Sequence, residues 1–375
     1  LYTFFIIFHI FLNNMKEKLI PIIGLMSGTS LDGIDCSLVY SDGQNLQRTD
    51  FNSITPYTEK TLQHLNKLLL NPKKEFLNFD FVNSLNQLIT YEHANVVNNM
   101  LENSKVIPLL IGFHGQTILH DPSNLQSLQL GDGKLLNSIL KISTVYNFRL
   151  ADMHCGGQGA PIAPIYHKFL IEQLNLILPA IIINIGGISN LTYWDGINLI
   201  GFDTGPGNKL MDQYMKSTFN KNYDKNGEIA MLGNVDYKLI NKYCDNSFYK
   251  SKPPKSLDIK NLFENDAYYE ILKLDPKDCL ATLSYLTAET IKRGLIFLPF
   301  HPKSILIVGG GQKNNQLIRN IKKLNICKTY TATEQSLSGD YIESELIAYL
   351  SARKFYNLPS TFPHTTGTKK NTVLG

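Results

Sequence analysis

Five short apolar runs punctuate this chain: PIIGLM, CSLVYS, LLIGFHG, AIIINIGG and SILIVGGG. They are rich in β-branched residues and most end in glycine. Runs this short and this continuous behave as strands buried on both faces of a sheet. Between them, Glu59–Leu70, 85–101 and 281–295 carry apolar residues at spacings of three and four, with polar residues between, which is the pattern of helices with one buried face. Strands alternating with helices call for an α/β fold, and 375 residues are enough for two domains, each with its own core.

A weak internal echo supports two lobes. Ile22, Ile23 and Gly24, the Ser-Gly-Thr-Ser turn, and the run to Val39 have a counterpart in Ile181 to Ile183, the GGISN turn, and Leu191 to Tyr193. Both read as strand, glycine-rich turn and returning strand, so each lobe is expected to open with a hairpin whose tip faces a shared cleft.

The net charge of +4 is small, and the lysines are scattered among asparagines and acids, so nothing marks a nucleic-acid or membrane surface. Five separated cysteines without a C-x-x-C pair argue against a disulfide framework or a zinc ribbon and fit a reducing cytoplasm. Residues 1–14 are apolar but too short to span a bilayer, with no basic segment ahead of them. Met15 is expected to be the true start, and 1–14 a non-native or disordered extension.

Three glycine-rich turns follow three of the strands. Ser27, Gly28, Thr29 and Ser30 are all small, so backbone N–H groups and hydroxyls can converge on an anion such as a polyphosphate, although an exposed hairpin would use the same residues. GFDTGPGN places Asp203 before a tight loop and a helix-like MDQYM; the acid can hold a Mg²⁺ water shell or simply cap a turn. VGGG, with Gly309, Gly310 and Gly311, lets a purine or ribose lie on backbone. No Walker loop or helix-opening G-x-G-x-x-G is present. Taken together, the three turns favour a nucleotide cleft.

The densest region is YNFRLADMHCGGQGAP. Asp152 there stands beside glycine-rich backbone, as a general base needs, although a helix cap or a partner for Arg149 would also explain it. His114 and Gln116 in GFHGQT, read as a strand-end loop, suit hydrogen bonding to hydroxyls. His154, Cys155 and His114 lack metal-ligand spacing.

The ordered blocks GLMSGTSLDGID, GFHGQT, FRLAD-x-x-x-GGQGAP, NIGGISNLT, GFDTGPGN, PPKS, ATLSYLTAETI, VGGGQKNNQL, GDYIESELIAYLSAR and LPSTFPHTTG resemble the anhydro-N-acetylmuramic acid kinase family, within the sugar kinase, Hsp70 and actin superfamily. They cover nearly all the chain after Met15. The resemblance implies two actin-like (ribonuclease H-like) lobes around an ATP cleft, 15–141 and 142–375, with a possible C-terminal crossover. It implies an enzyme using ATP, Mg²⁺ and water to turn 1,6-anhydro-N-acetylmuramic acid into its ring-opened 6-phosphate during peptidoglycan recycling, with a homodimer expected. Asp152 would be the base. Gly28, Thr29, Ser30, Leu31, Asp32, Gly33, Ile34 and Asp35 would form the first phosphate hairpin. Asp203, Thr204, Gly205, Gly207 and Asn208 would form the second loop, with Asp203 at the metal, and the three glycines of VGGG would meet the adenosine. Ser27, His114, Gln116, Gln158 and Glu343 would meet the sugar.

Departures from the family pattern are Met26 where many sugar kinases carry aspartate, Asn147 where an aspartate is common, and LDIK after PPKS. Rival readings are another sugar or polyol kinase, which would need no water, and an Hsp70- or actin-like ATPase switch, which would not need the sugar-side residues.

Overall fold

The computed structural model describes residues 18–28, 31, 33–70, 75, 77–121, 124, 126–257 and 262–375. The expected extension 1–14 lies outside them, as do Thr29, Ser30 and Asp32. The chain divides into two compact units. One runs to Cys155 and takes in Glu343–Thr361 and Lys370–Gly375; the other comprises Gly156–Ile342 and Phe362–Lys369.

The first unit opens with β1 (Ile20–Ser27), β2 (Ile34–Ser41) and β3 (Leu46–Thr55), an antiparallel meander. Helices α1 (Glu59–Leu70) and α2 (Phe79–Ser104) follow, then β4 (Leu110–Asp121), β5 (Gln126–Leu130), α3 (Gly133–Leu140), β6 (Ser143–Val145) and α4 (Phe148–His154). Strand β4 lies parallel to β1 and to β6, giving the path β3-β2-β1-β4-β6, while β5 pairs with the far half of β4. Alternation along β1 and β4 sends Ile23, Leu25, Ile111 and Phe113 into a core with Leu65, Leu68, Ile89 and Val97 from α1 and α2.

The second unit contains α5 (Pro164–Gln173), β7 (Ala180–Ile185), β8 (Ile188–Trp194), β9 (Leu199–Pro206), α6 (Lys209–Phe219), α7 (Pro276–Gly294), β10 (Ser304–Val308), α8 (Asn315–Lys323) and β11 (Lys328–Thr331). Its sheet runs β9-β8-β7-β10-β11, with β7–β8 and β8–β9 antiparallel and β7–β10 and β10–β11 parallel. Each sheet thus has the strand order 3-2-1-4-5 with the second strand reversed. The hairpin echo in the sequence corresponds to β1–β2 and β7–β8.

The chain then returns to the first unit as α9 (Ile342–Phe355). Two glycines explain how it docks. Gly24 of β1 and Gly112 of β4 are register partners. A Cβ on Gly24 would stand 1.9 Å from the Ser344 carbonyl oxygen and 2.7 Å from the Ala348 nitrogen, and one on Gly112 would stand 2.7 Å from the Ile347 oxygen. The helix backbone therefore lies directly on the sheet, where no side chain could fit. Ser37 Oγ and Ser344 Oγ at 2.6 Å, and Arg48 with Glu345 at 2.9 Å, pin the helix's first turn.

One sequence expectation changes. GFHGQT is not a strand-end loop, because Gly112 to Thr117 run inside β4, whose outer half continues by pairing with β5. Gly24 lies within β1, in the PIIGLM strand run, and makes room for α9, whereas Gly186 follows the end of β7.

Gly24→Ala should destabilise the protein by roughly 3 kcal/mol or prevent folding, the upper range for overpacking a closed contact. Gly186→Ala, where the nearest atom to a new Cβ is 3.7 Å away, should change stability by less than about 1 kcal/mol. Urea denaturation of both variants tests this, and a Gly24→Ala variant as stable as the Gly186→Ala one would refute the close docking of α9.

Candidate active site

In the first unit the structure brings Ser27, Gly28 and Gln116 together at the end of β1. Ser27 is fully buried and its hydroxyl lies 2.9 Å from His93 Nε2. The next carbonyl, that of Gly28, accepts a hydrogen bond from Gln116 Nε2 at 2.8 Å. Gln116, opposite Ser27 in the β1–β4 register, is itself buried, and its Oε1 has no hydrogen-bond partner among the described residues. Beyond the turn, Leu31 adopts φ +62°, and Gly33 adopts φ +148° with its Cα against Thr55, where a Cβ would meet the Thr55 oxygen at 2.4 Å. Ile34 and Asp35 open β2.

His114 stands two residues before Gln116 on β4, with both ring nitrogens engaged: Nδ1 with the Gly115 carbonyl at 2.9 Å and Nε2 with Arg149 Nε at 3.0 Å. A carbonyl only accepts, so Nδ1 carries the hydrogen and Nε2 accepts from the guanidinium. Burial first, then the Arg149 charge, pushes the His114 pKa down to about 3, which keeps the ring neutral as this arrangement requires. Arg149 and Asp152 lie one turn apart on α4, and Asp152 is fully buried. Glu343 is partly exposed in the first turn of α9.

In the second unit three glycine turns meet. The Gly186 carbonyl accepts from Asn208 N at 2.7 Å, and the Gly187 carbonyl from Gly207 N at 2.9 Å and Lys209 N at 3.2 Å. A Cβ on Gly207 would strike the Gly186 oxygen at 2.2 Å, and one on Gly205 would strike Thr290 Oγ1 at 2.6 Å. Helix α7 supports this loop further, with Thr287 Oγ1 donating to the Gly207 carbonyl, while Thr204 Oγ1 donates to the Ser189 carbonyl. Gly309, at φ +78°, and Gly311 turn the chain against Asn184 and Ile185. By contrast, among the described residues a Cβ on Gly310 would meet nothing nearer than Asn208 Nδ2 at 3.9 Å, and one on Gly186 nothing nearer than 3.7 Å. The Gly186–Gly187 and Gly205–Asn208 turns are thus locked to each other at their roots, the Gly309–Gly311 turn packs on the end of β7, and space is left beside the backbone at Gly186 and Gly310, as a phosphate or a ribose would need.

Asp203 precedes this loop on β9 and is nearly buried. Its Oδ2 accepts from Leu257 N at 2.8 Å, and its own N–H donates to the Lys255 carbonyl. The Lys255 amine lies 4.6 Å from the ring centres of both Phe248 and Phe297. Burial lowers its pKa to about 8, opposed by the Asp203 charge. Gln158 braces the same PPKS segment, with Nε2 donating to the Pro254 carbonyl at 3.2 Å and its N–H to the Thr366 carbonyl at 2.8 Å. Among the described residues no group of three or more His, Cys, Asp or Glu could cage a metal, so a Mg²⁺ here would be held largely by water and phosphate oxygens. One carboxylate such as Asp203 suits that kind of site.

Sequence reasoning named no role for His93, Gly187, Thr287 or Asp212. Asp212 lies in the first turn of α6, where burial pushes its carboxyl up to about 7 against the pull of Lys209. Only the NIGGISN echo pointed toward Gly187. The other three are single polar residues inside helical patterns, with no local signal.

The strand order 3-2-1-4-5 with the second strand reversed, repeated in both sheets, defines a ribonuclease H-like, actin-like α/β fold. The chain belongs to the anhydro-N-acetylmuramic acid kinase family, whose sequence pattern matches residues 21–375. It is 37% identical to the anhydro-N-acetylmuramic acid kinase of Pelagibacter ubique, over 96% of this chain and 98% of that protein. It is 38% identical to the enzyme of the same name from Brucella canis, over 93% and 95%. Among solved structures it is similar to the activator of the 2-hydroxyisocaproyl-CoA dehydratase from Clostridium difficile with bound ADPNP, at a TM-score of 0.43 and 11% identity, over 90% of this chain and 97% of that one. Among the described residues no helix is long and apolar enough to cross a membrane.

Three more histidines share the low pKa of His114, with burial as the first cause in each: His93 is pushed down to about 4, and the partly buried His120 and the buried His167 to about 3. Below about pH 6.5 the unfolded chain takes protons that the folded one refuses. Stability should therefore fall as pH drops from 6.5 toward 4, by up to about 1.4 kcal/mol per pH unit for each histidine. Urea midpoints measured from pH 7.5 to 5 test this, and a flat profile would contradict the buried, neutral state of these rings.

Proposed function

We propose that the protein uses ATP and water to open 1,6-anhydro-N-acetylmuramic acid and phosphorylate its O6, giving N-acetylmuramic acid 6-phosphate and ADP in peptidoglycan recycling. The family match over residues 21–375 carries this reading. The interlocked glycine turns of the second unit and the buried carboxylate of α4 are the kind of groups it needs.

In this reaction Asp152 takes a proton from the water whose oxygen bonds to the anomeric carbon. The bond from that carbon to the bridging oxygen breaks, and the freed O6 takes the γ-phosphoryl group as ADP leaves. Bound Mg²⁺ would supply charge neutralisation on the phosphates. Phosphoryl transfer asks the protein mainly for positioning and charge stabilisation, which falls to the turn after Ser27, the loop from Asp203 to Asn208, and Gly309 to Gly311. Asp203 would meet the metal through its water shell. Ser27, His114, Gln116, Gln158 and Glu343 would meet the sugar, with His114 acting through Arg149 in the arrangement described above. The reading carries with it a homodimer and a cytoplasmic location, and the five free cysteines fit the latter.

Asp152→Asn keeps the size of the side chain but removes its proton acceptance. Turnover should drop about 10²- to 10⁴-fold while nucleotide affinity stays within about twofold. Reaction in ¹⁸O-labelled water, with later exchange controlled, should place label at the anomeric carbon. An unlabelled product would exclude hydrolytic opening and favour an ordinary sugar kinase, and near-native turnover of the variant would remove Asp152 as the base.

A further inference from the structure

His93 lies in the middle of α2, is fully buried, and belongs to none of the glycine turns. Its Nδ1 is 2.8 Å from the carbonyl of Ile89, one turn earlier in the same helix, and its Nε2 is 2.9 Å from Ser27 Oγ. Because the Ile89 carbonyl can only accept, Nδ1 must carry the hydrogen. Burial keeps the ring neutral, with its pKa pushed down to about 4, so Nε2 holds a lone pair and the Ser27 hydroxyl must donate to it. Phe113 meets the ring edge-on at 4.9 Å and Tyr57 flanks it, so the ring is held from the sides as well.

The Ser27 hydroxyl has one hydrogen, and His93 takes it. What remains on Oγ is acceptor capacity alone. At the next residue, Gln116 Nε2 holds the Gly28 carbonyl from β4. The first two residues of the turn are therefore clamped from opposite elements, α2 on one side and β4 on the other.

We propose that His93 is a positioning residue for the Ser27–Gly28 root of the first glycine turn, fixing the Ser27 hydroxyl so that the turn is preorganised for the nucleotide and Ser27 can meet the sugar only as an acceptor. This rests on the kinase reading above, in which that turn receives the phosphates of ATP. Removing the imidazole acceptor leaves a buried hydroxyl without a partner, which must rotate toward another group and drag the turn root with it. A turn that must be ordered on binding holds its ligand less tightly.

The test is calorimetric titration of the full chain with Mg²⁺ and the non-hydrolysable ATP analogue AMP-PNP. His93→Phe keeps the ring's bulk and removes the acceptor; Kd should rise about tenfold, roughly 1.4 kcal/mol. His93→Gln, whose amide oxygen can stand near the Nε2 position, should stay within about threefold of wild type by the same relation. If His93 acts through Ser27, then Ser27→Ala and the double variant should bind within about twofold of each other, since the coupling is lost with the first change. Equal penalties for His93→Phe in the presence and absence of Ser27 would overturn the proposal, as would a His93→Phe variant that binds like wild type. Should His93→Phe fail to fold, His93→Gln against His93→Asn decides, because Asn cannot reach Ser27; equal binding by the two refutes the proposal. In ¹⁵N spectra the His93 ring should be the Nδ1–H tautomer, and an Nε2–H ring overturns the assignment. A wild type that binds no nucleotide rejects the kinase reading and this proposal together, whereas normal wild-type binding with an unaffected His93→Phe rejects this proposal alone.

Discussion

The approach of a helix backbone to a sheet without intervening side chains sets the architecture of the first unit. Gly24 and Gly112, side by side on parallel strands, remove the Cβ atoms that would hold α9 away. Side chains on the opposite face of the same strands remain large and apolar, so β1 and β4 bury both faces, one under α1 and α2 and the other under α9. Strand β1 ends at Ser27, and the position of that end follows from how tightly both layers hold the strand. Arg353 reinforces the same docking by donating to the Gly43 carbonyl, and a Cβ on Gly43 would meet the Arg353 backbone at 3.0 Å.

The second unit reaches a comparable end by other means. Its sheet has the same strand order, but two of its three glycine turns, at Gly186–Gly187 and Gly205–Asn208, are joined by backbone hydrogen bonds, and the second is backed by the threonines of α7. Direct main-chain pairing fixes a loop with few rotatable bonds, so little entropy is left to lose when a ligand arrives. Asp203 is similarly constrained: a main-chain donor from Leu257 takes one carboxylate oxygen, and an aromatic-lined lysine stands close by. A buried carboxylate with these partners stays in place at modest cost, because its charge is met by an N–H group and a nearby cation.

Much of this was legible in the sequence. The α/β class, the hairpin echo and helix α1 followed from periodicity, because buried strands and amphipathic helices write their environment into residue order. The reach of α2 back to Phe79 was not legible, since its first turns carry exposed Phe79 and Leu77 beside them and start from an Asn78 cap rather than from an apolar stripe. GFHGQT looked like a loop because glycines flank the histidine; its strand character depends on β5, which pairs with it from further along the chain. Gly24 read as part of a buried strand, but its role there was not legible, its neighbour being a helix more than three hundred residues later. The glycine turns and Asp152 were singled out from local composition and family resemblance. His93 was not, because a lone histidine in an amphipathic helix carries no mark of the hydroxyl it meets in the fold.

The return of α9 to the first sheet has a consequence for biosynthesis. When Cys155 leaves the ribosome, β1 and β4 still present their glycine face to solvent, because the helix that covers it is encoded only after all of Gly156–Ile342. Until then the nascent unit keeps a flat, narrow strip of bare backbone and apolar surface, the kind of surface that other chains can bind. The second unit can form its own core before that gap is closed. The order of maturation is therefore inverted relative to the order of synthesis: the segment made first is the last to become complete, and an early stop codon within α9 would leave it permanently open.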